Sequence, residues 1–414
     1  MVPVRIENRA QLIYLLNEAA ELEHEILCCY LFASFTMKDD VSEGLTEEQL
    51  ALVRSWRATI GEIVVQEMVH LATACNLLTA VGGTPQLRRP NLPTNPQAYP
   101  PAFQLNLVPF GVAALDQFVM LERPEALAQA EDYRATALPF ERLSDIFSSE
   151  RAFETVGELY RGIQDGFSYL AQKLGEDGLF VGPPQAQTAQ QLFSLPGLIA
   201  VHDLRSALAA IQVIVEQGEG ASADVLDSHY NRFVRLREEY GEALQADPDF
   251  SPARPVLVNP YARVPGDIAD PGAVNIVDEP TSADLCNLFD GCYELMVQIL
   301  GRLFVHGEES DAQFATLADI AVGLMISVLQ PLGCAITLLP AGPTHPGLCA
   351  GPSFHLSRGA GVPAHAAAAQ EVFRERLTEL SRYCQFLQAT PGTPPVLRAV
   401  REVMEGYAAA LAAG

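Results

Sequence analysis

The sequence predicts an all-α protein: a four-helix bundle with long loops, followed by a second C-terminal helical domain. Three observations carry that expectation. Apolar residues recur at three- and four-residue spacing over stretches too long for strands. Alternation with a period of two is nearly absent, and runs rich in proline and glycine separate the periodic stretches.

The first stretch, 9–36, reads as one long helix. The second, 46–81, opens on Thr46 as N-cap with Glu48 and Gln49 behind it, and Gly82–Gly83 stop it. The segment "GGTPQLRRPNLPTNPQAYPPAFQLNLVPFG" then leaves no room for regular structure, and so long a connection inside a domain usually covers or shapes something. A short helix near 112–121 and a loop-rich excursion over 122–150 lead to a third long helix, 151–174. The segment "SLPGLIAVHDLRSALAAIQVIVEQGEG" supplies a fourth, opening at Pro196 and ending at its glycines, and 224–240 resumes as helix. The chain thus divides into a bundle over 1–245, a proline-rich linker over 246–280, and a helical, metal-free domain over 281–414 that "LPAGPTHPGLCAGPSF" interrupts.

With 414 residues, 49% of them apolar and 19% charged, the chain has the composition of a globular protein with material for more than one core. A net charge of -25 argues against nucleic acid and anionic membrane surfaces as partners. The most apolar run, 320–339, carries Gln330 and Pro331 in its middle and reads as buried helix, not as a membrane span. The beginning shows no basic start followed by an apolar stretch, and the 8 cysteines form no Cys-x-x-Cys pair. Both features read as a cytoplasmic protein with reduced thiols.

On a helix, residue i shares a face with i±3, i±4 and i±7. For Glu67 those positions are Ile60, Ile63, Val64, His70, Leu71 and Ala74; for Glu23 they are Leu16, Ala19, Ala20, Ile26, Leu27 and Tyr30. Both acids lie in the centre of an apolar stripe, where an ionised carboxylate must be paired, neutralised or bound to metal. A lone Glu-x-x-His fits a satisfied buried pair as well as a metal, and a second inward acid shifts the balance to metal. Glu21 and His24 form another such motif, but their neighbours are polar and they read as a solvated pair. The later helices are less clear. Glu158 has Glu154, Thr155, Arg161 and Asp165 around it, a surface pattern, and Glu216 has Ala209 and Val213 on its face. His229 points inward with Phe233 and Leu236, and His202 competes with it from a face that includes Leu195 and Leu198.

Taken in order, "ELEHEILCCYLF", "IVVQEMVHLATACNLLTAVGGTP", "VGELYRGI" and "IVEQGEG…SHYNRF" resemble the ferritin-like domain associated with iminophenylpyruvate dimer synthases of bisindole pigment pathways. The downstream "LMISVLQPLGCAITLLP…CAGPSFHL" is similar to the region that follows it, so the resemblance covers nearly the whole chain. It implies a metal shell of Glu23, Glu67, His70, Glu158, Glu216 and His229; Glu158 and His229 rest on the resemblance alone. Against the ferritin pattern the second histidine has moved past a glycine break. The synthases also involve a haem-associated activity, and no Cys-x-x-Cys-His or local axial-ligand signature occurs here.

Carboxylates with imidazoles and no thiolate suit iron or manganese. The expectation is therefore two Fe ions, or Mn, in a non-haem oxidase or oxygenase. Dioxygen is the cosubstrate, and the substrate a small, amino-acid-derived molecule of secondary metabolism. Tyr30, seven residues after Glu23 on the same face, adjoins that site, either as packing, the favoured reading, or in a redox or hydrogen-bonding role. The loops over 84–110 and 122–150 serve as a lid, and the second domain packs on the first, closes the cavity or makes a homodimer. An external electron donor is a further partner of such chemistry. The competing readings are a manganese catalase or peroxidase, metal storage, and a metal-binding scaffold of a biosynthetic pathway.

Overall fold

The computed structural model describes residues 6–94, 104–124, 153, 155–188, 193, 195–218, 227–266, 268, 270–305, 309–357, 361 and 363–413. Much of the expected lid, including 95–103 and 125–150, lies outside the described residues. The chain is built of helices: α1 Arg9–Thr36, α2 Glu47–Ala80, α3 Val112–Leu121, α4 Val156–Leu174, α5 Leu204–Gln217, α6 His229–Ala246, α7 Pro280–Leu303, α8 Asp311–Leu324, α9 Gln330–Ile336, α10 Ala366–Gln388 and α11 Leu397–Ala413. Strand among the described residues is limited to the two-residue parallel pair β1 Pro260–Tyr261 and β2 Asn275–Ile276.

Local chemistry sets the helix ends. Asn8 caps α1 by accepting from the Gln11 amide, and Thr46 with Gln49 forms a reciprocal capping box on α2. At the other end of α2, Gly82 takes φ +83° and its amide returns to Thr79. The fourth expected helix starts later than Pro196. Gly197 turns into the left-handed region at φ +92°, and Asp203 with Ser206 makes the capping box that begins α5 at Leu204. Thr155, extended at φ -135°, caps α4, so that helix starts at Val156 and not at 151.

α1 packs along α2 and α4, α4 along α5, and α5 against α2, which closes a ring of four. α6 joins the ring on α2 and carries α3 on its outer side. The C-terminal helices then cover the face of α1 left open. Phe35 of α1 stacks on Phe354 at 6.1 Å and meets Phe289 of α7 edge-on at 6.4 Å. A Cβ at Gly333 of α9 would come within 2.6 Å of the same ring, so this crossing needs glycine.

This second layer corrects one expectation. His24 is not solvated: its Nε2 lies 2.6 Å from the Tyr293 hydroxyl of α7, which also receives a hydrogen bond from Arg89 at 3.2 Å. Burial, with the Arg89 charge beside it, pushes His24 down to about 3, so the imidazole is neutral. The polar pattern around Glu21 and His24 marked a seam between two helical layers, not water.

The segment over 246–280 is irregular as expected and packs closely. Arg254 ties Glu43 to the Phe35 carbonyl and to Thr337, and Val256 and Leu257 are buried. The apolar run over 320–339 is only partly interior. Glu47–Ala80 and Asp311–Ile336 are both long and apolar enough to cross a membrane; the apolar window is 83% buried in the first and 39% in the second. Ile326 is 61% exposed on the outer face of that second stretch. Met325–Leu329 widen there to a π turn just before Pro331, which has no N–H to continue the ladder.

Replacing Phe35 by Ala opens a cavity between the two layers and is expected to cost about 3–5 kcal/mol in chemical denaturation. A cost below about 1 kcal/mol would show that α1 and the C-terminal helices are not packed through this ring.

Candidate metal centre

Glu23 from the middle of α1 and Glu67 with His70 from the middle of α2 meet inside the helix ring, all of them buried. The stripe that places each acid inward is the stripe that packs the two helices together. Two further groups come from helix ends. Glu122 is the residue that ends α3, and His229 is the first residue of α6, positioned by the Ser228 cap. Both are fully buried.

Glu67 is the hub. Its Oε2 lies 3.1 Å from His70 Nδ1 and its Oε1 2.9 Å from His229 Nδ1. Each imidazole also faces a second acid, Glu23 at 3.8 Å from His70 and Glu122 at 3.5 Å from His229. The two rings stack with centroids 5.4 Å apart. Two tyrosines stand behind the outer acids: Tyr160 of α4 donates to Glu23 Oε1, and Tyr30 of α1 donates to Glu122 Oε1 at 2.5 Å. Two carboxamides stand behind the imidazoles, Gln217 Oε1 at 3.3 Å from His70 Nε2 and Gln66 Oε1 at 3.0 Å from His229 Nε2.

The electrostatics follow from that arrangement. Burial raises the Glu23 carboxyl well above its ordinary range, and the neighbouring Glu67 charge adds to the effect. Burial likewise raises Glu122. Glu67 goes the other way: burial opposes its charge, but His229 and His70 on either side hold it below the ordinary carboxylate range. Burial also opposes a charged His229, yet Glu122 and Glu67 push it up to about 10. Burial thus favours the neutral forms of Glu23 and Glu122, while the two imidazoles favour the charged form of Glu67.

The residues fit a divalent ion in place of the protons on the neutral acids. Glu67, His70 and His229 each offer one ligand atom, and the three atoms lie within 4.8 Å of one another. Four buried atoms of the cluster, Glu23 Oε2, Glu67 Oε1, Glu122 Oε2 and His229 Nδ1, make no hydrogen bond. The 2.9 Å approach of Glu67 to His229 lacks hydrogen-bond direction, and a cation satisfies such atoms where a proton does not. The donor set is oxygen and imidazole nitrogen, suited to iron or manganese.

Among the residues the sequence singles out, the structure brings together Glu23, Glu67, His70 and His229, with Tyr30 hydrogen-bonded to Glu122 beside them. It does not bring Glu158 or Glu216 to them. Tyr160 is the α4 residue that faces Glu23, and Glu158, two residues earlier, lies about 200° around the helix from it. Glu216 is exposed and accepts from Gln212 at 2.9 Å; its neighbour Gln217 is the one that reaches His70. His202 is exposed in the loop before α5. Glu122 is the acid that sequence reasoning missed. Half of its signal was present: Leu115, Phe118 and Val119 form an apolar stripe on the upstream side of its face, while Pro124, Glu125 and Gln129 break the downstream side.

A ferritin-like family profile matches residues 16–238, the part of the chain that contains every group of this cluster. Two relatives align over most of the chain. A 2-imino-3-(indol-3-yl)propanoate dimerase from Chromobacterium violaceum is 30% identical over 363 residues, 82% of this chain and 33% of the relative. A dichlorochromopyrrolate synthase from Lentzea aerocolonigenes is 27% identical over 416 residues, 92% of this chain and 39% of the relative. The chain therefore spans between a third and two fifths of their length. Among solved structures, a ferritin-like protein from Caulobacter vibrioides superposes with TM-score 0.51 at 18% identity, over 85% of this chain and 100% of that one, a likeness of fold.

Because His229, Glu23 and Glu122 hold protons to higher pH than such groups ordinarily do, an ion entering the cluster must displace them. Affinity for a divalent ion is expected to rise with pH, by about tenfold per pH unit for each proton displaced. Chelator-competition titration with Co(II) at about pH 6 and about pH 8 measures the slope, and equal affinity at both values would show that no proton leaves on binding.

Proposed function

The chain belongs to the ferritin-like family, and from that membership we propose that it is a di-metal oxidoreductase. Iron, or manganese, would be held by Glu23, Glu67, His70, Glu122 and His229, with dioxygen as cosubstrate and a small amino-acid-derived carboxylate as substrate. Its setting would be a biosynthetic pathway. The observation that carries this reading is Glu67 set between two imidazoles, with unpartnered buried atoms on Glu23, Glu67, Glu122 and His229 around it. When bound, a pair of such ions supplies electrons to dioxygen and positions it.

The protein's own groups have separable tasks. Glu67 faces both imidazoles and would help hold the metal together with His70 and His229. Tyr160 and Tyr30 each occupy one oxygen of an outer acid, which leaves the other oxygen free, and each holds a hydroxyl proton beside the centre. The surrounding apolar helices exclude water, which strengthens every interaction inside.

Two observations support an anionic substrate. Among the described residues, three carboxylates set against two divalent ions leave one positive charge, which a substrate carboxylate offsets. The names of both relatives specify carboxylates, a propanoate and a pyrrolate. A cavity of about 510 Å³ lies in the groove between α2 and α6. Three acids, Glu62, Asp227 and Glu239, and two arginines, Arg232 and Arg235, are in its lining, so its charge does not itself select an anion; Gln66, also in the lining, is one hydrogen bond from His229. That volume suits a small metabolite.

Anaerobic loading with Fe(II) is expected to give about two ions per chain, and admission of oxygen to change the near-ultraviolet and visible absorption. Glu67→Ala is expected to abolish both. Rapid peroxide disproportionation by the manganese-loaded protein would favour the catalase reading. Substoichiometric metal that Glu67→Ala leaves unchanged would leave only a scaffold.

A further inference from the structure

The two imidazoles of the cluster are oriented alike, Nδ1 inward and Nε2 outward to a glutamine. For His229 the glutamine is itself held. Arg232 lies three residues along α6, one turn from His229, and is buried against α2. Its Nη2 donates to the Thr59 carbonyl at 3.2 Å and to Glu62 at 2.5 Å, and its Nη1 donates to Gln66 Oε1 at 3.1 Å. That oxygen is the one 3.0 Å from His229 Nε2.

A guanidinium has donors and no acceptor, so only the oxygen of the Gln66 carboxamide can face it. The same oxygen can only accept from His229, so Nε2 must carry its hydrogen. The lone pair of the neutral ring is then on Nδ1, which faces Glu67 and Glu122. Remove Arg232, and the carboxamide is free to turn over and present its NH₂. Nε2 would then be the acceptor, the hydrogen would move to Nδ1, and the ligating nitrogen would be blocked.

We propose that Arg232 acts through Gln66 to fix which nitrogen of His229 is offered to the ions, making both of them positioning residues for half of the centre. This rests on the di-metal reading. Neither side chain titrates in the step, and neither touches an ion.

The test uses Co(II) alone as probe on the full chain, counting bound ions by elemental analysis and reading ligand-field absorption and chelator competition. The wild type is expected to bind about two ions. Gln66→Leu and Arg232→Met are each expected to weaken one of them by about 10–100-fold and to leave the other unchanged. The double variant Gln66→Glu with Arg232→Met is expected to recover the weakened ion, because a carboxylate can only accept whichever way it turns. Thermal melting of the metal-free variants separates a folding defect from a positioning one, since the rescue restores affinity without needing to restore stability. Arg232→Met binding both ions as tightly as the wild type would overturn the proposal, as would a double variant no tighter than Arg232→Met. Equal tightening of both ions in the double variant would also overturn it, as general attraction by an added charge. Absence of cobalt from the wild type would overturn the di-metal reading and this proposal with it; a normal wild type with unaffected variants overturns this one alone.

Discussion

The carboxylate of Glu67 is the constraint on which the site depends. It sits at 1% exposure inside the helix ring, and it keeps its charge because an imidazole stands on each side of it. A charge left there without those partners would be prohibitively costly. One partner, His70, is on the same helix and arrives with it. The other, His229, arrives only when α6 docks on α2. Closing the bundle and completing the centre are therefore the same structural event, because closure takes the crowded acids out of water and also brings His229 to Glu67.

The same economy explains α1, which has buried groups on every side. One face holds Glu23 and Tyr30 toward the centre, and a second face, about 120° around the helix, holds His24, Cys28 and Phe35 toward the C-terminal helices. A helix apolar all round is a helix between two layers. The sequence displays that property over 26–36 and not over the more polar 9–25, where which polar residues are seams and which are solvated depends on what docks later. His24 reads as solvated from its neighbours and is interior because Tyr293 and Arg89 come to it from far along the chain.

The helices, their caps and the interruptions were legible because they depend on local chemistry: Thr46 with Gln49, the Gly82–Gly83 stop, the irregular 246–280 segment. Within the site, Glu23, Glu67 and His70 were legible because each sits in mid-helix, where periodicity over two turns fixes the direction of a side chain. Glu122 stands at the end of a helix of ten residues, so only the upstream half of the rule reaches it. Glu158 and Glu216 fail for a different reason. Each is next or next but one to the residue that does face the cluster, Tyr160 and Gln217, and an error of one or two residues in helix phase is an error of about 100–200° in direction. Family order alone cannot resolve phase at that scale.

The two halves of the cluster are built differently, and this sets how firmly each is held. Glu23, Glu67 and His70 project from the middles of α1 and α2, whose backbones are locked by hydrogen bonds on both sides of each residue. Glu122 and His229 stand where α3 ends and α6 begins, positions whose backbone lacks part of the helical ladder. They need outside support, and they have it: Tyr30 on Glu122, Ser228 capping the turn of His229, and Arg232 with Gln66 behind its ring. The outer half thus carries the denser set of side-chain braces because its backbone supplies less of the rigidity. A substitution among those braces should be felt first at His229 and Glu122, while Glu23 and His70 keep their places.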